Sequence, residues 1–161
     1  KFDIELPVGL DWLNPRLGGD KTLASYGVKI DETSRYYQVH AAARTAVPAE
    51  HLAFLNALPL HYETDDYIFV HAGIRPDVAL AAQTERDLLW IREPFLSHSA
   101  PRAKMIIHGH TALEAPQLYS NRLNLDGGAG YGRPLTPVVI DNKQIFCLGA
   151  HGRVLLEQSA L

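Results

Sequence analysis

Two short runs constrain this chain more than anything else in it: Tyr67-Ile68-Phe69-Val70 and Lys104-Met105-Ile106-Ile107-His108. Both are β-rich and apolar at consecutive rather than alternate positions, the pattern of a strand buried on both faces. Each run ends in a histidine beside a glycine, in His71-Ala72-Gly73 and in His108-Gly109-His110. The chain between them is long enough for a right-handed helical crossover, which would make the strands parallel neighbours. Parallel neighbours end at the same sheet edge, where open α/β sheets build their ligand crevices. His71 and His110 are therefore expected to converge from two loops. Gly73 and Gly109 are expected to allow close backbone approach or a positive φ.

Imidazole is a common ligand for transition metals. A single histidine flanking an apolar run is more often a packed core residue, and only the matched contexts raise the metal reading. His108 points away from His110 if the strand continues to it, because side chains alternate. It belongs to the core or behind the site. The acidic residues near the histidines, Asp65, Asp66, Asp77 and Glu114, form no motif and read as turn or surface residues.

The rest of the chain supplies the frame. Residues 7–27 are rich in glycine and proline and read as surface chain with one short helix, and residues 28–47 as a loop or small helical cap. Pro48 stands where a helix would begin, with Leu52, Leu55 and Leu58 at helical spacing. Thr84 or Glu85 opens a second helix through residues 86–95, with Leu88, Leu89 and Trp90 inward. Residues 117–126, 135–141 and 144–158 alternate around turns at Ser120-Asn121 and Asp141-Asn142, as an antiparallel meander does. The fold class is α/β, with α+β character at the C-terminus, in a single domain over residues 1–161.

Composition narrows the function. The 161 residues are 47% hydrophobic and 20% charged, an ordinary globular balance, and a net charge of −3 gives no reason to expect nucleic acid. No stretch approaches the ~20 apolar residues that cross a bilayer, so no membrane partner is expected. The single cysteine, Cys147, excludes an internal disulfide and reads as a small buried hydrophobe. That fits a reducing, cytoplasmic location. The glycine loop at 127–132 precedes Pro134 rather than a helix, so it reads as a mobile connection and not a dinucleotide site.

The ordered set "FVHAGIRP", "QTERDLLWIREPFL", "IIHGHT" and "NRLNLDGGAGYGRPLTPVVID" closely resembles the C-terminal part of bacterial phosphoprotein phosphatases of the calcineurin-like metallophosphoesterase superfamily. "WLNPRLGGDKTLASYG" resembles the segment following that family's Gly-Asn-His-Glu motif. The resemblance implies part of an αββα sandwich of mixed sheets flanked by helices. It implies two divalent metal ions, manganese or alternatively iron or zinc, with His71 and His110 binding the second. It makes Arg92 the candidate for holding substrate phosphate, where the residue alone reads as a solvated helix arginine. It sets the 127–132 loop near the active-site mouth, where Tyr131 could touch substrate. Tyr36 and Tyr37 could do so from the cap, or simply pack.

The family's Gly-Asp-x-His-Gly, Gly-Asp-x-x-Asp-Arg-Gly and Gly-Asn-His-Glu motifs do not occur among these residues. They carry the remaining metal ligands and the general acid, which is therefore expected upstream of Lys1. On this reading the chain lacks the N-terminal third of the domain, and an unpaired sheet edge is expected beside residues 67–70. The implied activity of the complete protein is serine/threonine phosphoprotein phosphatase, by direct attack of a metal-bridging hydroxide on a phosphorylated protein or small phosphoester. A dinucleoside tetraphosphatase of the same superfamily and a non-catalytic binding module are the alternatives.

Overall fold

The structure, a computed structural model, describes residues 12–14 and 17–159, and the chain divides into two units, Lys1–Leu58 and Pro59–Leu161. The start of the surface segment expected at 7–27 lies outside the described residues, as do residues 15–16. Within the first unit, α1 (Gly19–Ser25), α2 (Tyr36–Ala46) and α3 (Ala49–Ala57) are helical. The polar stretch at 28–47 resolves largely into α2. Gln38 folds back to accept the Arg35 N–H at 3.0 Å, and Val39 and Ala43, one turn apart, bury with Leu23 and Val28. Helix α3 begins after Pro48 as expected, yet none of its residues is buried, and Phe54 and Leu55 are exposed. Tyr36 and Tyr37 are exposed at the start of α2.

The second unit is a mixed α/β arrangement. Its elements are β1 (His61–Glu63), β2 (Tyr67–Val70), α4 (Glu85–Trp90), β3 (Met105–His108), β4 (Gln117–Leu118) and β5 (Arg122–Asn124). They are followed by β6 (Val138–Asp141), β7 (Gln144–Gly149) and β8 (Gly152–Leu155). The first five strands form one sheet in the order β1-β2-β3-β5-β4, with β2, β3 and β5 parallel and both outer strands antiparallel. Strands β6 to β8 form a separate antiparallel sheet.

Consecutive apolar residues on β3 explain the layering. Ile106 packs with Ile68, Val70, Leu88, Ile91 and Phe95 on the side of α4. Its neighbour Ile107 faces the opposite way and packs with Leu123 and with Ile145 of the second sheet. A strand sandwiched between two layers must be apolar on both faces, which is why the run does not alternate.

Three expectations need correction. The unpaired edge beside residues 67–70 is absent, because β1 covers it in register His61↔Val70 through Glu63↔Ile68. Thr64 closes that hairpin, its N–H donating to the Tyr67 carbonyl at 2.9 Å. The C-terminal strands are not one meander: β4 and β5 join the first sheet, because Arg122, Leu123 and Asn124 are all buried and pair with β3. Helix α4 starts at the Thr84 cap, whose hydroxyl accepts the Asp87 N–H at 3.1 Å, but stops at Trp90. Ile91 leaves the helix extended to enter the core, and Pro94 prevents a helix from resuming.

Cys147 is half-buried in β7, and burial pushes its thiol pKa up, as suits a packing residue. Among the described residues no helix is long and apolar enough to cross a membrane.

Candidate functional site

Strands β2 and β3 run parallel with Tyr67 beside Met105 and Phe69 beside Ile107, so both chains exit at one edge. There the Gly109 N–H donates to the His71 carbonyl at 2.9 Å, carrying the pairing past the strands. The imidazoles follow: His71 Nε2 lies 3.2 Å from His110 Nδ1, with ring centroids 5.0 Å apart and planes at 62°. Two nitrogens each ~2.0–2.1 Å from one ion stand roughly 2.9–3.4 Å apart between right and tetrahedral angles. The observed separation falls inside that interval, so the pair fits one shared ion.

His110 sits in a strained turn. Its φ is 64°, and the Thr111 N–H donates across it to the Gly109 carbonyl at 2.7 Å, closing a three-residue γ-turn. A non-glycine residue holds such a conformation only when its surroundings enforce it. The surroundings are explicit. His108 Nδ1 meets the Gly109 carbonyl at 3.1 Å, and Asn124 Nδ2 donates to the Thr111 carbonyl at 2.9 Å. The expectation for the glycines holds at Gly73, where a Cβ would lie 2.3 Å from the Phe95 ring. It fails at Gly109, which keeps an ordinary φ and has room for a Cβ; the positive φ falls on His110 itself.

The loop carrying His71 is bound to α4. The Ala72 N–H donates to the Leu88 carbonyl at 2.9 Å, Arg75 forms a fork with Asp87, and Gln83 pairs with the Arg75 backbone through both ends of its amide. Helix α4 in turn sets the Trp90 ring centroid 5.6 Å from that of His110, the planes at 87°. Arg92, exposed just beyond the helix, places its charge near enough to act on His110.

Burial pushes the His110 pKa down to about 4, with the Arg92 and His71 charges in the same direction and Asp126 opposing. His110 is thus neutral at pH 7, the state a ligand requires. His108 is also lowered to about 4, mainly by burial. It packs edge-on against Phe95, ring centroids 4.9 Å apart, behind the site.

Sequence reasoning missed three contributors: Asp126, Trp90 and Asn124. Asp126 follows β5 in the "LNLDGG" stretch, its carboxylate accepting the Gly128 N–H at 2.9 Å. A carboxylate two residues past a buried strand was the available signal. Asp66, by contrast, forms a surface pair with Lys143 at 2.8 Å. Tyr131 is exposed on a single helical turn flanked by left-handed Gly128 and Gly132. Tyr36 and Tyr37 lie in the first unit.

Among the described residues, no group of three or more histidine, cysteine, aspartate or glutamate side chains is arranged to hold a metal. Two imidazoles would supply only part of one coordination sphere, and a bridged pair of ions needs carboxylates in addition. No family model and no curated protein sequence matches this chain.

Proposed function

We propose that this chain is part of a metal-dependent phosphoester hydrolase resembling bacterial phosphoprotein phosphatases of the calcineurin-like metallophosphoesterase superfamily, acting on phosphoserine or phosphothreonine. The observation that carries the reading is the 3.2 Å approach of His71 Nε2 to His110 Nδ1 at the carboxyl edge of two parallel strands. The order of the motifs supports it. So does the layering of α4, a mixed sheet and an antiparallel sheet, which is compatible with three layers of an αββα sandwich.

His71 and His110 would hold one divalent ion, manganese or else iron or zinc. Ions bound there would acidify water and draw charge from the phosphoryl group. Arg92 would neutralise phosphoryl oxygens with a planar fork of donors. Trp90 walls one side of His110 and limits solvent there. The strained turn fixes His110 before any ligand arrives, so little reorganisation is needed on binding. On this reading the bridging carboxylate and the general acid would come from outside the described residues.

The test uses the complete protein with added manganese, assayed in parallel on a phosphoserine peptide and on diadenosine tetraphosphate. Phosphate release from the peptide, lost in His71→Ala and His110→Ala, is the expected result. Preference for the dinucleotide would reassign the substrate. Metal binding without turnover on either compound would make the domain a binding module.

A further inference from the structure

The buried amide of Asn124 joins the loop that carries His110 to the segment that follows β5. Asn124 ends β5 directly beside His108 of β3 and is 1% exposed. Its Nδ2 donates to the Thr111 carbonyl at 2.9 Å, and its Oδ1 accepts the Asp126 N–H at 2.9 Å. One bond fastens the residue that follows His110, at the closing end of the γ-turn. The other fixes the backbone of Asp126, whose side chain lies beside Gly109, next to His110: a Cβ on that glycine would stand 3.8 Å from Asp126 Oδ2. A side chain serving both ends must donate and accept at once, as a carboxamide does. Asn124 is itself buried, so each end of its amide needs a protein partner, and an unmet buried group is costly.

We propose that Asn124 is a positioning residue, holding His110 in its metal-ready turn and Asp126 alongside. The proposal deepens the reading of His110 as a metal ligand and rests on it. Groups that orient a ligating histidine from behind commonly change metal affinity by about 10–100-fold when removed.

The discriminating variant is Asn124→Asp, which keeps the shape and the acceptor for the Asp126 N–H but sets a carboxylate oxygen against the Thr111 carbonyl. Asn124→Leu removes both bonds. Cobalt(II) alone is titrated into the complete protein and each variant, following the d–d absorption, with thermal melting as the check on folding. Amide hydrogen exchange at Thr111 and Asp126 is followed by NMR without metal.

For Asn124→Asp the expected result is cobalt affinity about 10–100-fold weaker, with faster exchange at Thr111 and retained protection at Asp126. Asn124→Leu should expose both amides. Should either variant fail to fold, wild-type Asn124 side-chain protons must still exchange slowly; exchange at the rate of a free amide would overturn the proposal. Unchanged cobalt affinity and unchanged Thr111 exchange in folded Asn124→Asp would overturn it too. If wild type binds no cobalt, or His110→Ala binds it equally well, the metal reading fails instead. Asn124 then stands or falls on Thr111 exchange alone.

Discussion

Arg75 grips Asp87 through two parallel hydrogen bonds, Nε to Oδ2 at 3.0 Å and Nη2 to Oδ1 at 2.7 Å. The fork ties the loop after β2, which carries His71, to the helix that delivers Trp90 and Arg92. Thr84, the cap of α4, donates its hydroxyl to the same carboxylate at 2.9 Å. One acidic side chain thereby sets the helix start and the loop position together.

The Asp87 carboxyl is held below the usual carboxylate range, chiefly by the Arg75 hydrogen bonds and against the opposing effect of burial. A depressed folded-state pKa stabilises the fold above the unfolded value of about 4 and loses that contribution as pH falls through the folded value. Asp87→Asn should therefore destabilise by about 1–2 kcal/mol at pH 7, discounted for the exposure of Arg75. The difference from wild type should shrink as the solution is acidified below about pH 4. Urea titrations across that range measure both effects.

Gly73→Ala should destabilise the second unit by about 1–3 kcal/mol, the usual cost of forcing a methyl group into a packed core. The added Cβ would meet the Phe95 ring at 2.3 Å. Phe95 also packs against His108, so the strain should reach the site as well. Denaturant midpoints give the first effect, and cobalt affinity of the folded variant gives the second.

The strands that were legible in the sequence were those with one physical explanation. Tyr67–Val70 and Met105–His108 are apolar throughout because layers cover both faces, and their parallel pairing brought His71 to His110 as expected. Residues 122–124 hid their placement, because Arg122 and Asn124 look like surface residues and are buried. Arg122 manages this by stacking 3.6 Å over the Tyr119 ring and donating to the Leu96 carbonyl, contacts no local pattern announces. The turn at His110 was hidden for a similar reason. Glycine next door invites the positive φ, whereas long-range hydrogen bonds impose it on the histidine. Asp126 joins the site through its backbone, its N–H bonded to Asn124 Oδ1 and its carbonyl accepting the Leu113 N–H at 2.8 Å.

Arg92→Ala in the complete protein should lower kcat for phosphomonoester hydrolysis about 10²–10³-fold, by analogy with a lost oxyanion donor. Metal content should stay near wild type, because the arginine would meet phosphate rather than the ion. Kinetics at saturating manganese, with metal analysis of the same samples, separates the two effects. Unchanged turnover would make Arg92 a solvated surface residue.

Assayed alone with manganese, these 161 residues should give no enzymatic phosphoester turnover. The described residues contain no group of three or more metal-holding side chains, and two imidazoles cannot hold a bridged pair of ions. Mass determination of the intact sample confirms what was assayed. Robust turnover by a 17.8 kDa monomer would contradict the assignment of the remaining ligands elsewhere.

The most direct measurement is anomalous diffraction from crystals of the protein soaked in cobalt(II), an ion well suited to imidazole. Shared ligation predicts one strong peak about 2.0–2.2 Å from both His71 Nε2 and His110 Nδ1, absent from His110→Ala crystals. Rings still 3.2 Å apart with no peak between them at saturating cobalt would contradict it, leaving the pair as two hydrogen-bonded histidines.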